Sequence, residues 1–259
     1  MSHYALGLLC SLAVLAAPAS LDSPGGTAPR KTVAVLSFDN HTGQAYYDAL
    51  GKGMASMMIS DLSAVQEIQL LERERIQDLV QEIDRQGTQY FDSTTAVKVG
   101  HMAGAEYVVV GAIAAIRPQM RIDTRVVRVE TGEIVKAAQV TGQEDKLFEL
   151  QQRLAGRLID GLGLALSPEE QQRLQAKQDS NRIDNLATMV NFSQALALYD
   201  RADYVGASQK MALVLQASPN SMLVRMTADR AKERAARSVT DQAKEKVNQG
   251  LGRLLRRKP

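Results

Sequence analysis

The feature that most constrains the fold is the alternation of short β-branched runs with helical stripes. Thr32 to Ser37 (TVAVLS) is almost wholly apolar and reads as a strand buried on both faces. A turn-like stretch follows, Asp39-Asn40-His41-Thr42-Gly43. Apolar residues then recur at Tyr47, Leu50, Met54, Met57, Met58, Ile59, Leu62 and Val65, a spacing that predicts an amphipathic helix. Ile68 to Leu71 predicts a second strand, and Ile76, Leu79, Val80 and Ile83 a helix stopped near Gly87. Thr94 to Ala103 predicts another helix, closed by Gly104 just past its C-terminus. Glu106 to Ile113 (EYVVVGAI) is a third buried strand. Strands buried on both faces need helices above and below, so this part reads as layered α/β.

The next segment changes period. Between Arg121 and Val129, arginines are interleaved with Ile122, Thr124, Val126 and Val127, and Ile134 to Val140 returns after Thr131-Gly132. This predicts an antiparallel hairpin with one solvated face, and hence a mixed rather than fully parallel sheet. Leu147, Leu150, Leu154, Leu158 and Leu162 form a helical stripe. Ser167-Pro168-Glu169-Glu170 then starts a further helix, with proline at its first position. Polar Gln178 to Asn185 reads as a linker. Phe192, Ala195, Leu196 and Tyr199, then Ala207, Met211, Val214 and Leu215, predict two short helices around Asp200 to Tyr204, and Pro219 opens another. Ala207 and Pro219 have the spacing of one tetratricopeptide repeat, although its aromatic and glycine positions match incompletely. A single repeat cannot bury its own face. A chain of 259 residues suits one domain plus an appendage.

At the N-terminus, Ala5 to Ala17 (ALGLLCSLAVLAA) is a short apolar stretch followed by Ala17-Pro18-Ala19. It reads as a signal peptide cleaved before Ser20, with a buried N-terminal helix as the other reading. The leading MSHY carries no Lys or Arg. Leu9 stands where a lipoprotein signal needs a small residue before Cys10, so Cys10 reads as part of the apolar stretch. Cleavage would leave a chain without cysteine. Leu21 to Arg30 (LDSPGGTAPR) reads as a flexible lead-in. The expected division is 1–19 signal peptide, 20–30 lead-in, 31–166 α/β domain and 167–185 helix and linker. Residues 186–237 are expected to form the tetratricopeptide-like hairpin region, and 238–259 a basic C-terminal helix.

Chemistry is sparse. No phosphate-cradling glycine pattern follows the first strand; Gly51-Lys52-Gly53 lies within a helical stripe and reads as a surface feature. His41 and His101 are the only histidines past the leader and lack the spacing of a zinc site. Asp39 beside His41 reads as a candidate site or, equally in keeping with its neighbours, as turn chemistry. A nucleophile-elbow motif is missing, and sequence alone does not exclude a pair of carboxylates meeting in space. Catalytic, cofactor and metal residues are therefore expected to be none. Arg73, where a strand passes into a helix, reads as a surface or capping ion pair, with partner binding as the alternative. Four Phe, seven Tyr and no Trp argue against a nucleic-acid stacking platform.

The net charge is only +2, yet residues 225–259 hold 11 Lys/Arg against 4 Asp/Glu. Val239, Ala243, Val247, Leu251 and Leu254 keep a helical stripe there. Such a helix suits an anionic lipid surface or an acidic partner, or lies solvated against the preceding hairpin.

Several stretches taken in order resemble the CsgG-like family (curli production assembly/transport component), with HfaB, FlgO and TolB-N-like domains among its relatives. They are Val33-Ala34-Val35-Leu36-Ser37-Phe38, Leu71-Glu72-Arg73, Gln86-Gly87, Phe91-Asp92, the run Gly104 to Gly111 and the run Val127 to Ile134. The resemblance spans Lys31 to Leu164. It implies a non-enzymatic, exported periplasmic accessory protein for outer-envelope assembly or secretion. Its partners would be envelope or outer-membrane proteins, with a homo-oligomer left open. The alternatives are an outer-membrane secretion pore of the curli type or a cell-wall-acting enzyme. Pore-forming relatives insert extra β-hairpins, whereas the connections Ala114 to Met120, which contains Pro118, and Val140 to Asp145 are too short for two membrane strands each. The chain is accordingly not expected to form a channel.

Overall fold

The computed structural model describes residues 30–84, 92–115 and 118–255. The expected signal peptide, most of the expected lead-in, the expected stop at Gly87 and the last four residues of the chain lie outside the described residues. The described chain forms a mixed six-stranded sheet with helices on both faces, followed by a helical region.

Strand β1 (Lys31–Val35) sits between β3 (Ile68–Leu70) and β4 (Tyr107–Ala115) and is parallel to both. Strands β5 (Gln119–Arg128) and β6 (Ile134–Gln143) extend the sheet antiparallel, giving the order β3-β1-β4-β5-β6. Alternate residues of β1 face opposite layers. Val33 and Val35 meet α1 (Leu50–Leu62) and α4 (Leu147–Gly161), while Ala34 and Leu36 meet α2 (Arg73–Asp84) and α3 (Ser93–Ala103). This is why the run carries no polar alternation.

Local chemistry sets the boundaries. Asp92 caps α3 by accepting from the Thr95 amide at 3.1 Å, and Gly104 closes that helix at φ 73°, a conformation glycine adopts without penalty. Gly132 turns the β5–β6 hairpin at φ 71°. In the helical region, Ser167 and Glu170 form a reciprocal capping box at the start of α5 (Pro168–Ser180). Then come α6 (Leu186–Asp200), α7 (Tyr204–Ala217) and α8 (Met222–Leu255).

Four expectations need correction. The turn-like Asp39 to Gly43 stretch contains β2 (Asp39–Asn40), which pairs parallel with Ala112 and Ile113 of β4. The helix expected from Tyr47 begins at Leu50, after a 3-10 turn over Ala45–Tyr47. Gln178 of the expected linker lies in α5, and Gln178, Asn181 and Ile183 are all buried. Pro219 stands in the turn before α8, which begins at Met222 and runs unbroken through the 237/238 boundary.

The apolar core is shared between the two parts of the chain. Met189, Val190, Phe192 and Leu196 of α6 belong to the same cluster as Met54, Met58, Val109 and Leu154. Helix α1 is thus covered by the sheet on one side and by α6 on the other.

Candidate functional site

The seam where α6 and α8 meet α1 and α2 is built from the Gly51-Lys52-Gly53 segment, which is not the surface feature its sequence suggested. Gly51 and Gly53 are both buried. A Cβ at Gly51 would collide with the Phe38 carbonyl, and one at Gly53 with the Ser193 side chain of α6. The two glycines therefore let α1 approach the Phe38 backbone between β1 and β2, and α6, at once. Between them, Lys52 Nζ reaches Asp200 Oδ2 at 2.8 Å and Gln77 Oε1 at 3.0 Å.

Asp200, at the end of α6, collects the α/β layer around itself. Arg73 Nη1 donates to its second carboxylate oxygen at 2.8 Å, and Gln81 Nε2 donates to its backbone carbonyl at 2.9 Å. The Asp200 side chain is only 4% exposed, so its desolvation is offset by two cations bonded to separate oxygens. Arg73 is thus the ion-pairing residue its position suggested, but the pair is tertiary rather than a helix cap.

Beside this latch opens a cleft of about 650 Å³, walled by α1, the start of α2, the end of α6 and α8. Ser56, Ser60 and Ser63 supply hydroxyls along one wall. Arg230, Arg234 and Arg237 project from the other, one helical turn apart. Arg230 pairs with Glu74 at 2.5 Å, and Arg237 with Glu233 at 2.5 Å. Burial pushes the Glu74 carboxyl upward, but its own backbone N–H, Arg73 and Arg230 outweigh this and hold it below its ordinary value. The Tyr199 hydroxyl beside Arg234 raises that guanidinium. Tyr199 also packs edge-on against Tyr204, with ring centroids 5.1 Å apart.

Near the cleft, α1 carries a buried carboxylate. Asp61 is 1% exposed and accepts from Gln151 of α4 and from Gln178 of α5, the latter at 2.9 Å. Burial pushes its pKa from the usual 3.8 up to about 7, against smaller opposing effects from the two amides and Lys177. Asn181 extends the polar seam by donating to Ser60 Oγ at 2.8 Å and accepting from the Leu223 amide at 3.1 Å.

The other sequence candidates are not gathered here. Asp39 lies in β2, and the His41 amide donates to the Ile113 carbonyl at 2.9 Å. Asn40 makes the local turn bond, accepting from the Thr42 amide at 3.0 Å. His101 lies near Tyr107, at the other end of β4 from Ile113, about 20 Å of strand away. Among the described residues no group of three or more His, Cys, Asp or Glu side chains is placed to hold a metal. Asp200, Gln151 and Gln178 escaped the sequence reading, because a lone polar residue in a helical stretch has no local signature of burial.

Residues 15–118 match the family model described as curli production assembly/transport component CsgG. Over that stretch the chain is similar to the CsgG family. The match covers the β1–α1–β3–α2–α3–β4 unit and ends in the turn before β5. The hairpin motif Val127 to Ile134, counted above toward the resemblance, lies beyond it. A curated relative, the putative adenylate cyclase 3 of Rhizobium meliloti, is 22% identical over 193 residues; these are 73% of this chain and 30% of the cyclase. This chain thus spans under a third of that relative. Among solved structures, the LpoB C-terminal domain from Salmonella enterica aligns at TM-score 0.38 and 16% identity, over 46% of this chain and 86% of that one. Lipoprotein GNA1162 from Neisseria meningitidis aligns at TM-score 0.36 and 13% identity, over 52% and 99%. The PelC dodecamer from Paraburkholderia phytofirmans aligns at TM-score 0.35 and 16% identity, over 53% and 90%.

Proposed function

We propose that this CsgG-like chain is an exported, non-enzymatic periplasmic accessory protein that supports outer-envelope assembly or secretion through protein–protein contacts. The observation that carries the reading is the cleft. The helical region is locked onto the α/β layer through Asp200, and this brings three arginines of α8 to the rim of an open groove with a hydroxyl-lined wall. Such a groove suits an acidic segment of an envelope or outer-membrane protein.

Glu74, which lines the cleft, and Asp61, buried near it, favour a binding role over cell-wall hydrolysis. A general acid needs a raised carboxyl pKa and access to substrate. Glu74 is held low by its cations, and Asp61, which is raised, is sealed in the core. A channel role is disfavoured by the connections. Strands β4 and β5 are joined through residues 116–118, and β6 passes through a single 3-10 turn, Glu144–Lys146, into α4. Purified protein added to planar bilayers is expected to give no unit conductance steps.

The cleft reading is tested by crosslinking in intact envelopes. An acidic partner recovered with the wild type should be lost, by about tenfold or more, from the double substitution Arg234→Glu, Arg237→Glu. Equal recovery with both proteins refutes the cleft as the contact site.

A further inference from the structure

Helix α8 is 34 residues long, about 51 Å at 1.5 Å per residue, and only its first part is packed. Val224 and Ala231 are buried, whereas every residue from Val239 to Gln249 is exposed, Val239 at 57% and Val247 at 61%. A helical stretch without tertiary contacts is marginal in water. This one contains β-branched Val239, Thr240 and Val247 and continues in sequence to Gly250 and Gly252, all weak helix formers. Its sequence is organised for a surface rather than for solvent.

The layout around the helix identifies that surface. At about 100° per residue, Val239, Ala243 and Val247 fall within an arc of about 80°. Lys246 and Lys244 flank this arc, about 60° to one side of Ala243 and about 100° to the other. Asp241 and Glu245 lie on the opposite side of the helix. An apolar stripe edged by lysines, with the acids turned away, is the arrangement of a helix lying in an anionic lipid interface. The charge balance agrees. Residues 239–259 hold 6 Lys/Arg against 2 Asp/Glu, while residues 1–238 hold 25 against 27. Two such tails repel one another, and a nearly neutral body offers a second copy's tail little attraction. A layer of anionic headgroups supplies both the attraction and an apolar boundary for the stripe.

We propose that the distal half of α8, from Val239 onward, docks on an anionic phospholipid surface, with the Val239, Ala243 and Val247 stripe toward the acyl boundary and Lys244 and Lys246 among the headgroups. This deepens the envelope reading above and rests on it for the availability of such a surface. The cleft lies at the packed part of the same helix, so docking would hold the cleft close to the membrane.

The test is vesicle flotation of the purified protein. Neutral phosphatidylcholine vesicles are compared with vesicles of one-third phosphatidylglycerol, at low salt and at ~0.5 M salt. The wild type should bind the anionic vesicles at least about tenfold more tightly at low salt and lose that preference at high salt. The double substitution Lys244→Glu, Lys246→Glu should abolish the preference. Val239→Ser, Val247→Ser should weaken anionic binding by about tenfold, with the melting temperature unchanged in both variants. The N-terminus is the same in all three proteins, so whatever it adds cancels. Equal binding to both vesicle types, or variants that bind like the wild type, overturns the proposal. So does a concentration-dependent dimer in sedimentation that the valine substitutions abolish, because a second copy would then be the occupant. The vesicles contain no protein partner, so a failure here is distinct from a failure of the cleft experiment.

Discussion

Replacing Asp61 by asparagine should stabilise the protein at alkaline pH and leave it nearly unchanged in acid. The carboxyl is 1% exposed, and burial moves its pKa from 3.8 in the unfolded chain to about 7 in the folded one. Between those values the folded state keeps a proton that the unfolded state has released, so stability falls as pH rises through that window and levels off above it. A shift of about three units at 1.36 kcal/mol each corresponds to about 4 kcal/mol of stability lost between pH ~4 and pH ~7. Asparagine is nearly isosteric, does not ionise and still accepts a hydrogen bond from the glutamine amides. It also offers an N–H to Gln151 Oε1, which is buried without a partner. The assay is urea denaturation of wild type and Asp61→Asn across that range. The difference in unfolding free energy should grow with pH in favour of the variant, reach ~2–4 kcal/mol near pH 8 and vanish near pH 4. A difference that does not change with pH would refute the argument, because it would mean that Asp61 ionises in the folded protein as freely as in the unfolded one.

The remaining predictions concern the seam and the tail. Asp200→Ala should cost about 3 kcal/mol of unfolding free energy, since it removes the carboxylate that Lys52 and Arg73 share, and combining it with Arg73→Ala should cost less than the sum of the single changes. Gly53→Val should cost ~3 kcal/mol or more by forcing α1 away from Ser193, whereas Gly156→Ala, with open space beside it in α4, should stabilise by ~0.5–1 kcal/mol. Ending the chain at Ser238 should leave the melting temperature within ~2 °C of the wild type while helical circular dichroism falls, because every residue from 239 to 249 is exposed.

What could be read from the sequence was what neighbouring residues decide among themselves. The β-branched runs beginning at Thr32 and Glu106 became β1 and β4, and the alternation from Arg121 to Val129 became β5. The Ser167-Pro168-Glu169-Glu170 start became a complete capping box, and Gly104 and Gly132 took the left-handed conformation their positions required. Each follows from side-chain period or from backbone freedom over a few residues, and neither needs knowledge of what packs above. Only the tertiary structure decided the latch and the buried seam. Lys52 and Asp200 are 148 positions apart, Arg73 and Asp200 127, and Asp61 and Gln178 117. In a sequence these are ordinary polar residues that would face water. They become structural because α6 packs closely on α1 at Gly53, which excludes water and leaves each polar group no partner except the one the fold supplies.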